Sequence, residues 1–269
     1  MKTVGLVAGS GRVPAIGVRV ARQRGWQVVA VAVADGVGPE LERAGARCVA
    51  ASFDYGRVVE ILAGHGVRDL YIMGKIPKLR MYGQGLDEAL RQVISSRTGQ
   101  GDHRLIDAFI ADLAARGIRV CPQWELLGDY LVPAGFSAGR APSAREWEDI
   151  RYGYRVARLL ADGMDAGQTA VVKEGIVLAL EAAEGTDATI RRGGTLGGPG
   201  AVVVKVKGAR AADFEVPAVG EETLAAMEEV GAAVLAVEAG RTLLVDRDEL
   251  VQRAQRAGIA LLAVEESEE

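Results

Sequence analysis

The sequence predicts an α/β protein of two domains, the first a doubly wound parallel sheet and the second an α+β domain with a mixed sheet. In the first half, short β-branched apolar runs alternate with amphipathic stretches, a pattern typical of a Rossmann-like domain. In the second half, helical patterns are mixed with hairpin signals. A segment rich in Gly, Ala, Ser and Pro (PAGFSAGRAP) lies between them. We predict an N-terminal domain at 1–133, a linker at 134–143 and a C-terminal domain at 144–269.

The first half contains five predicted strands separated by helices. The strands are apolar and show no alternation, as expected when both faces of a sheet are covered. They are predicted at residues 3–8, 28–33, 47–51, 69–73 and 118–121. Helices are predicted at 14–24, 56–62 and 105–116.

A glycine turn, Gly9-Ser10-Gly11, follows the first strand and precedes a helix. Such turns hold phosphate groups at a helix N-terminus. The third glycine of a dinucleotide fingerprint is replaced by Pro14, although Asp35 lies near the position of a ribose-binding acid. A nucleotide or sugar phosphate therefore fits this turn better than a nicotinamide cofactor, and a purely structural tight turn is an equal alternative.

The second half begins with a capped helix. Ser143 is the predicted N-cap, and Glu146 completes the capping box. Hairpins are predicted around residues 174–175 and around Gly240, a single strand at 201–206, helices at 221–230 and 247–257, and a last strand at 259–264.

Composition limits the function. The chain has 269 residues, 49% of them hydrophobic and 25% charged, and a net charge of −4, which argues against a nucleic-acid partner. It has two cysteines and two histidines, too few for a disulfide framework or a cysteine–histidine zinc site. A metal would therefore be a hard cation with oxygen ligands, Mg²⁺ or Mn²⁺. The N-terminus lacks a signal-peptide pattern and no apolar run reaches the roughly 18 residues of a membrane span, so we expect a cytoplasmic protein.

The stretch 184–198 (EGTDATIRRGGTLGG) combines two carboxylates, a hydroxyl, paired arginines and glycines. Acids can hold a divalent cation, and arginines bind phosphate oxygens in a forked geometry. Two simpler interpretations remain open. The stretch could be a polar loop between two strands, or Arg191 and Arg192 could pair with Glu181 or Glu184 on the surface.

Several motifs together resemble one family. Asp165–Gln168 (DAGQ) precedes VVKEGIVLALEAAEGTDATIRR, and Lys207 and PAVG at 217–220 follow in order. The N-terminal GLVAGSGRVP, MGK at 73–75 and Gly101-Asp102 extend the likeness over nearly the whole chain. The sequence is similar to the LpxI-type UDP-2,3-diacylglucosamine pyrophosphatases of lipid A biosynthesis.

The resemblance implies a hydrolase that converts UDP-2,3-diacylglucosamine to UMP and the 1-phosphate lipid X. It implies Mg²⁺ or Mn²⁺ as cofactor and an acylated sugar bound between the domains. The substrate's two acyl chains imply transient contact with the inner membrane and an apolar groove, with Met81, Tyr82 and Leu86 as candidate lining residues. A homo-oligomer is left open.

The family carries a motif K-P-x-Q-x-x-R-x-D-x-P whose acid is regarded as catalytic. In this chain that position is Glu215, the motif arginine is Asp213 and the glutamine is Arg210. A carboxylate one methylene further out, displaced by about 1 Å, can lower the rate on the order of 10²-fold. A family member that binds a nucleotide or lipid without turnover is therefore the alternative.

The resulting hypothesis is hydrolysis assisted by a metal ion. Glu215 and Asp187 would be metal ligands and catalytic residues, and Asp213 a further catalytic acid. Thr186 would donate a hydrogen bond or cap a helix that starts at Asp187. The predicted substrate contacts are Gly9, Ser10, Gly11, Lys75, Asp102, Gln168, Thr186, Arg191, Arg192 and Lys207. Asp102 fits a helix cap first, and its neighbour His103 is more typical of an exposed or capping residue than of a base.

Overall fold

The computed structural model of the protein describes residues 1–76, 87–95, 102–164, 166–209 and 216–265, with the backbone alone described at 102–105. Contacts along the chain divide it into two compact units, the first ending at Gly128 and the second beginning at Asp129. Within the described ranges, no helix is long and apolar enough to cross a membrane.

Unit 1 is the predicted doubly wound sheet. Five strands pair in parallel in the order β3-β2-β1-β4-β5. The strands are β1 (Thr3–Ala8), β2 (Gln27–Ala32), β3 (Arg47–Ala50), β4 (Asp69–Met73) and β5 (Arg119–Val120). The helices are α1 (Val13–Gln23), α2 (Gly38–Arg43), α3 (Tyr55–Gly64), α4 (Glu88–Ser95), α5 (Asp102–Ala115) and α6 (Trp124–Leu127).

Helices cover both faces of this sheet. Val7 of β1 lies in a core built with residues of α3, α4 and α5. The neighbouring Leu6 points to the opposite face, where Gly17 brings α1 against it. Burial on both faces explains why these strands read as continuous apolar runs.

Unit 2 contains a six-stranded mixed sheet and a separate two-stranded one. Its strands are β6 (Ser137–Ala138), β7 (Thr169–Lys173), β8 (Ile176–Leu180), β9 (Val202–Lys205), β10 (Ala218–Val219), β11 (Val234–Glu238), β12 (Leu243–Leu244) and β13 (Ala260–Val264). Its helices are α7 (Ala144–Arg158), continued by a π-helical turn Leu159–Met164, then α8 (Thr186–Gly197), α9 (Glu221–Val230) and α10 (Arg247–Ala257).

The six-stranded sheet has the order β6-β13-β11-β9-β7-β8. Its centre is parallel, since β11 pairs in parallel with both β9 and β13. Strand β7 is antiparallel to both of its neighbours, so β8 runs in the same direction as β9. The edge strand β6 lies within residues 134–143 and is antiparallel to β13. As a result, β8, β9, β11 and β13 all end at the same edge of the sheet.

The first predicted hairpin is confirmed and the second is wrong. Glu174 and Gly175, both with positive φ, connect β7 to β8, and the Asp149 carboxylate accepts their amides at 2.8 and 2.7 Å. Around Gly240, by contrast, β11 is a central parallel strand and β12 pairs with β10 instead. All five residues of β11 are buried, which marks a strand covered on both faces rather than one arm of a hairpin.

The sheet of unit 2 is also covered on both faces. Val203 and Leu235 share a core with Ile190 of α8 and with residues of α9 and α10. Val202, Val204, Val234 and Ala236 face the other way and pack against Ile150 and Tyr154 of α7. Helix α7 begins at Ser143 with the predicted capping box. Helix α8 spans Thr186–Gly197, so the stretch 184–198 is mostly helix and not a loop between strands.

Candidate active site

The edge at which β8, β9, β11 and β13 end carries three buried charged residues of unit 2. Glu181 follows β8, Lys205 is the last residue of β9, and Glu238 is the last residue of β11. These three side chains belong to residues that are 8%, 4% and 4% exposed. Carboxyl ends of parallel strands are where open α/β sheets place their ligand sites. This edge is therefore the best candidate for the site of unit 2.

On the α8 face of the sheet, a lysine, a threonine and a glutamate form a chain of hydrogen bonds. The Lys205 ammonium donates to the Thr186 hydroxyl oxygen at 2.6 Å, and that hydroxyl donates to Glu181 Oε1 at 3.0 Å. The Gln168 amide approaches Glu181 Oε2 at 3.4 Å. Gly167 allows this approach, since a Cβ there would lie 2.3 Å from the Glu181 carbonyl oxygen. Two residues of the DAGQ motif thus serve to hold Glu181.

The surroundings of Glu181 in this series of hydrogen bonds favour its ionised form. Burial raises the pKa of the Glu181 carboxyl, but the Lys205 charge and hydrogen bonds from Thr186 and the Gln168 amide lower it further than burial raises it. The net result is a pKa below the ordinary value, so Glu181 is ionised at neutral pH. A buried ion pair bridged by a hydroxyl fixes the first turn of α8 against the end of β9.

On the α7 face, a second buried ion pair holds the chain just beyond β9. Arg158 pairs with Glu238, and the Tyr154 hydroxyl lies 3.4 Å from the same carboxylate. Glu238 Oε2 accepts the Lys207 amide at 2.7 Å, and Arg158 Nη1 donates to the Lys207 carbonyl at 2.6 Å. The predicted substrate contact Lys207 therefore has both of its backbone polar groups bonded to one ion pair.

In unit 1, the glycine turn meets the end of a neighbouring strand. The Ser10 amide donates to the Lys75 carbonyl at 3.0 Å, and the Lys75 amide donates to the Ser10 carbonyl at 2.8 Å. A Cβ on Gly9 would lie 2.7 Å from the Lys75 carbonyl oxygen, so the approach requires glycine. Strands β1 and β4 are where the strand order reverses, which is the switch point of a doubly wound sheet. The structure thus brings Gly9, Ser10, Gly11 and Lys75 together at the place where such sheets bind phosphates.

The paired arginines of α8 lie on its surface and are engaged by carboxylates. Arg191 forms an ion pair with Glu229 of α9. Arg192 pairs with Glu184 and also donates to the Leu180 carbonyl at 2.8 Å. The alternative interpretation, that the two arginines pair with Glu181 or Glu184, holds for Arg192, whereas the carboxylate that pairs with Arg191 comes from another helix.

Two further predicted site residues, Thr186 and Asp187, lie in the first turn of α8. Thr186 is not the helix cap, since Gly185 precedes the helix without a side-chain cap, and its hydroxyl donates to Glu181. Asp187 accepts a hydrogen bond from the Thr223 hydroxyl of α9 at 3.2 Å. Asp187 therefore links the N-termini of α8 and α9, while Thr186 turns towards the end of β9.

Several predicted residues lie outside the described part of the chain. These are Asp213 and Glu215, the groove candidates Met81, Tyr82 and Leu86, and the side chains of Asp102 and His103. Helix α5 begins at residue 102, three residues before its predicted start at 105. Among the described residues, no three Asp, Glu, His or Cys side chains come together in a way that could hold a metal ion.

Three residues of the candidate site, Arg158, Lys205 and Glu238, were not among the predicted site residues. Glu181 was considered only as a surface partner for the arginines. The available signal was position: Lys205 and Glu238 each end an otherwise apolar run, VVVK and VLAVE. A charge in the last position of a buried parallel strand lies at the ligand-binding edge.

Comparison with known proteins agrees with this architecture. Residues 3–130 match the LpxI N-terminal domain, and residues 133–262 match the LpxI C-terminal domain. The chain belongs to the LpxI family. Across 282 residues it is 27% identical to the UDP-2,3-diacylglucosamine pyrophosphatase LpxI of Caulobacter vibrioides, a match that covers 100% of this chain and 99% of that protein.

Among solved structures, the N5-carboxyaminoimidazole synthetase from Staphylococcus aureus is 10% identical, with a TM-score of 0.28. That match covers 67% of this chain and 42% of the synthetase, and it is too weak to bear on fold or function. For an LpxI-family chain, the two units correspond to the two family domains, whose matches meet between residues 130 and 133.

Proposed function

We propose that this protein hydrolyses UDP-2,3-diacylglucosamine to UMP and 2,3-diacylglucosamine 1-phosphate in lipid A biosynthesis. One observation carries the proposal, the similarity over the full length of both chains to a pyrophosphatase of that name. A match across two domains is stronger support than a match to one, because the substrate has a nucleotide end and a lipid end that must both be recognised.

The reaction requires a water oxygen to form a bond to one phosphorus while the bond between that same phosphorus and the bridging oxygen breaks, so that the bridging oxygen leaves with the other phosphate. Two phosphate monoesters result, and the water gives up its protons to a base and to solvent. Charge moves onto the leaving phosphate, so fixed cations and hydrogen-bond donors at that oxygen lower the barrier. In unit 2, Lys207 is the proposed contact for a phosphate, and Thr186, which is bonded to Lys205 and Glu181, is a second proposed contact.

The proton acceptor and the cation remain predictions. Glu215 is the proposed base, with Asp213 and Asp187 as further acids. Bound Mg²⁺ or Mn²⁺ would neutralise pyrophosphate oxygens and make the attacking water more acidic. In unit 1, the Gly9–Gly11 turn with Lys75 is a proposed phosphate-binding element. Arg191 and Arg192 would have to exchange their carboxylate partners before they could bind phosphate.

The direct experiment incubates purified protein with UDP-2,3-diacylglucosamine and follows UMP by chromatography. Samples with Mg²⁺, with Mn²⁺ and with EDTA separate the activity from its metal requirement. UMP formed with a divalent cation and lost with EDTA supports both parts, and UMP formed equally in EDTA supports hydrolysis without a metal. Tight substrate binding without UMP would instead support the alternative, a family member that binds without turnover.

The substrate also defines where the protein works. A molecule with two acyl chains resides in a membrane, so we propose a cytoplasmic enzyme that contacts the inner membrane surface transiently. Co-sedimentation with vesicles that contain the substrate, compared with vesicles that lack it, tests this contact. Binding to both kinds of vesicle alike would argue for a lipid-surface site independent of the substrate.

A further inference from the structure

Lys207 is held in an unusual way for a residue beyond the end of a strand. The ladder between β9 and β11 ends at the pair Lys205–Val237. The Val206 amide donates to the carbonyl of Gln168, the residue directly before β7. At Lys207, side chains replace strand partners. Its amide donates to Glu238 and its carbonyl accepts from Arg158.

The pair that holds Lys207 is largely buried, with side chains 14% exposed for Arg158 and 6% for Glu238. Burying two charges costs free energy that their attraction often fails to recover, so such a pair adds little net stability compared with apolar residues. What apolar residues could not supply is two directional, charge-assisted hydrogen bonds to one peptide segment. The specific effect of this pair is therefore to fix the backbone of Lys207 through two hydrogen bonds.

A third bond extends the same arrangement by two residues. Asp162, in the π-helical turn that follows α7, accepts the Ala209 amide at 2.5 Å, and Arg158 lies 3.8 Å from the same carboxyl group. Short π-helical segments are often retained where they place a functional group. Here the turn brings Asp162 to the same side of the chain as Arg158, so α7 and its extension hold 207–209 from one face.

We propose that the buried Arg158–Glu238 pair is a positioning device that fixes the backbone of Lys207 and so directs its ammonium to a phosphate of the substrate. The inference rests on the proposed function and deepens it. Arg158 and Glu238 do not touch substrate in this scheme and act through Lys207. The competing explanation is that the pair only attaches α7 to the sheet.

A double-mutant cycle distinguishes the two roles. It uses Glu238→Gln, Lys207→Ala and the double variant. If Glu238 acts through Lys207, Glu238→Gln lowers kcat/KM by about 10-fold, within the range expected when a contact is displaced by up to 1 Å. In the Lys207→Ala background the same change then has almost no effect. An equal fold-change in both backgrounds would overturn the proposal.

The same cycle is measured on substrate affinity, by calorimetry with UDP-2,3-diacylglucosamine in EDTA. Failure of the wild type to release UMP would contradict the proposed hydrolysis, while the binding cycle would still decide the role of the pair. Hydrogen exchange adds a readout without substrate: Glu238→Gln should speed exchange in peptides covering 206–209. Unchanged protection there would also overturn the proposal.

Two further variants guard against general loss of structure. Glu146→Gln removes the Arg140–Glu146 ion pair from the same helix without contact to Lys207, and should leave kcat/KM and exchange at 206–209 unchanged. Should Glu238→Gln fail to fold, Arg158→Lys keeps the charge but loses the forked geometry. It should show the same dependence on Lys207, and a Lys207-independent effect would contradict the proposal.

Discussion

The ammonium nitrogen of Lys205 lies 2.6 Å from the hydroxyl oxygen of Thr186, and Lys205 is almost completely buried. Lys205 ends β9 and Thr186 begins α8, so this one contact joins a strand end to a helix start. Glu181 completes the chain from the end of β8. Side-chain hydrogen bonds thus join the end of β8, the end of β9 and the start of α8 at the candidate edge of unit 2.

Replacing Lys205 with Met should destabilise the protein strongly. The change leaves the Glu181 carboxylate buried without its cation, which typically costs about 3–5 kcal/mol of unfolding free energy. Urea unfolding measures the loss. The exposed Arg191–Glu229 pair is the control, and Glu229→Gln should change stability little. A Lys205→Met protein as stable as the wild type would show that the buried contact does not form.

Two substitutions of Thr186 separate the effect of the side chain's shape from the effect of its hydrogen bonds. Thr186→Val keeps the shape of the side chain but removes both hydrogen bonds, and the unsatisfied Glu181 acceptor should cost about 1–3 kcal/mol. Thr186→Ser keeps the hydroxyl and should restore most of the stability and of the UMP-forming activity. Equal losses in the two variants would indicate that the methyl group, not the hydroxyl, matters.

The capping box of α7 should make stability depend on pH in the acid range. The Arg140 hydrogen bond, with those of the Ser143 amide and hydroxyl, holds the pKa of Glu146 at about 2, below its ordinary value of 4.5. Because the folded-state pKa is depressed, the stabilisation is fully present above pH 4.5 and is lost as pH falls towards 2.

Unfolding free energies of the wild type and Glu146→Gln, compared across this range, test the prediction. The difference between them should be constant near neutral pH and shrink below pH 4.5. A difference that did not change with pH would mean that the carboxylate charge contributes nothing.

Helix α8 should not tolerate side chains on its glycine face. A Cβ on Gly194 would lie 2.3 Å from Val230 of α9, so Gly194→Ala overpacks the contact at a cost of about 1–3 kcal/mol. Gly64, in the last turn of α3, has open space around it, and Gly64→Ala should be neutral or stabilising by up to about 1 kcal/mol. Thermal unfolding measures both, and equal effects would contradict this packing.

Much of the fold was predictable because local patterns determined it. Strands 3–8 and 69–73 and helices 221–230 and 247–257 have the predicted limits, and the Ser143 cap was visible as a capping box. The second hairpin failed because a turn signal at Gly240 says nothing about which strand a buried segment pairs with. Val234–Glu238 has parallel partners, β9 and β13, that are distant in sequence.

The site was less predictable than the fold. The family motif drew attention to Thr186, Arg191 and Arg192, yet two of these three are engaged with surface carboxylates. Lys205 and Glu238 could not be predicted from a motif, because a single charged residue at the end of an apolar run is not a recognisable sequence pattern. Their importance arises only when strand order brings the ends of β9 and β11 side by side.

Release of UMP from UDP-2,3-diacylglucosamine by the purified protein tests the central claim most directly. We expect metal-supported turnover in the wild type that falls by about 10-fold or more in Glu215→Gln, the proposed base. Bound substrate with no UMP at any metal concentration would contradict the claim, and full turnover in Glu215→Gln would remove that residue from the mechanism.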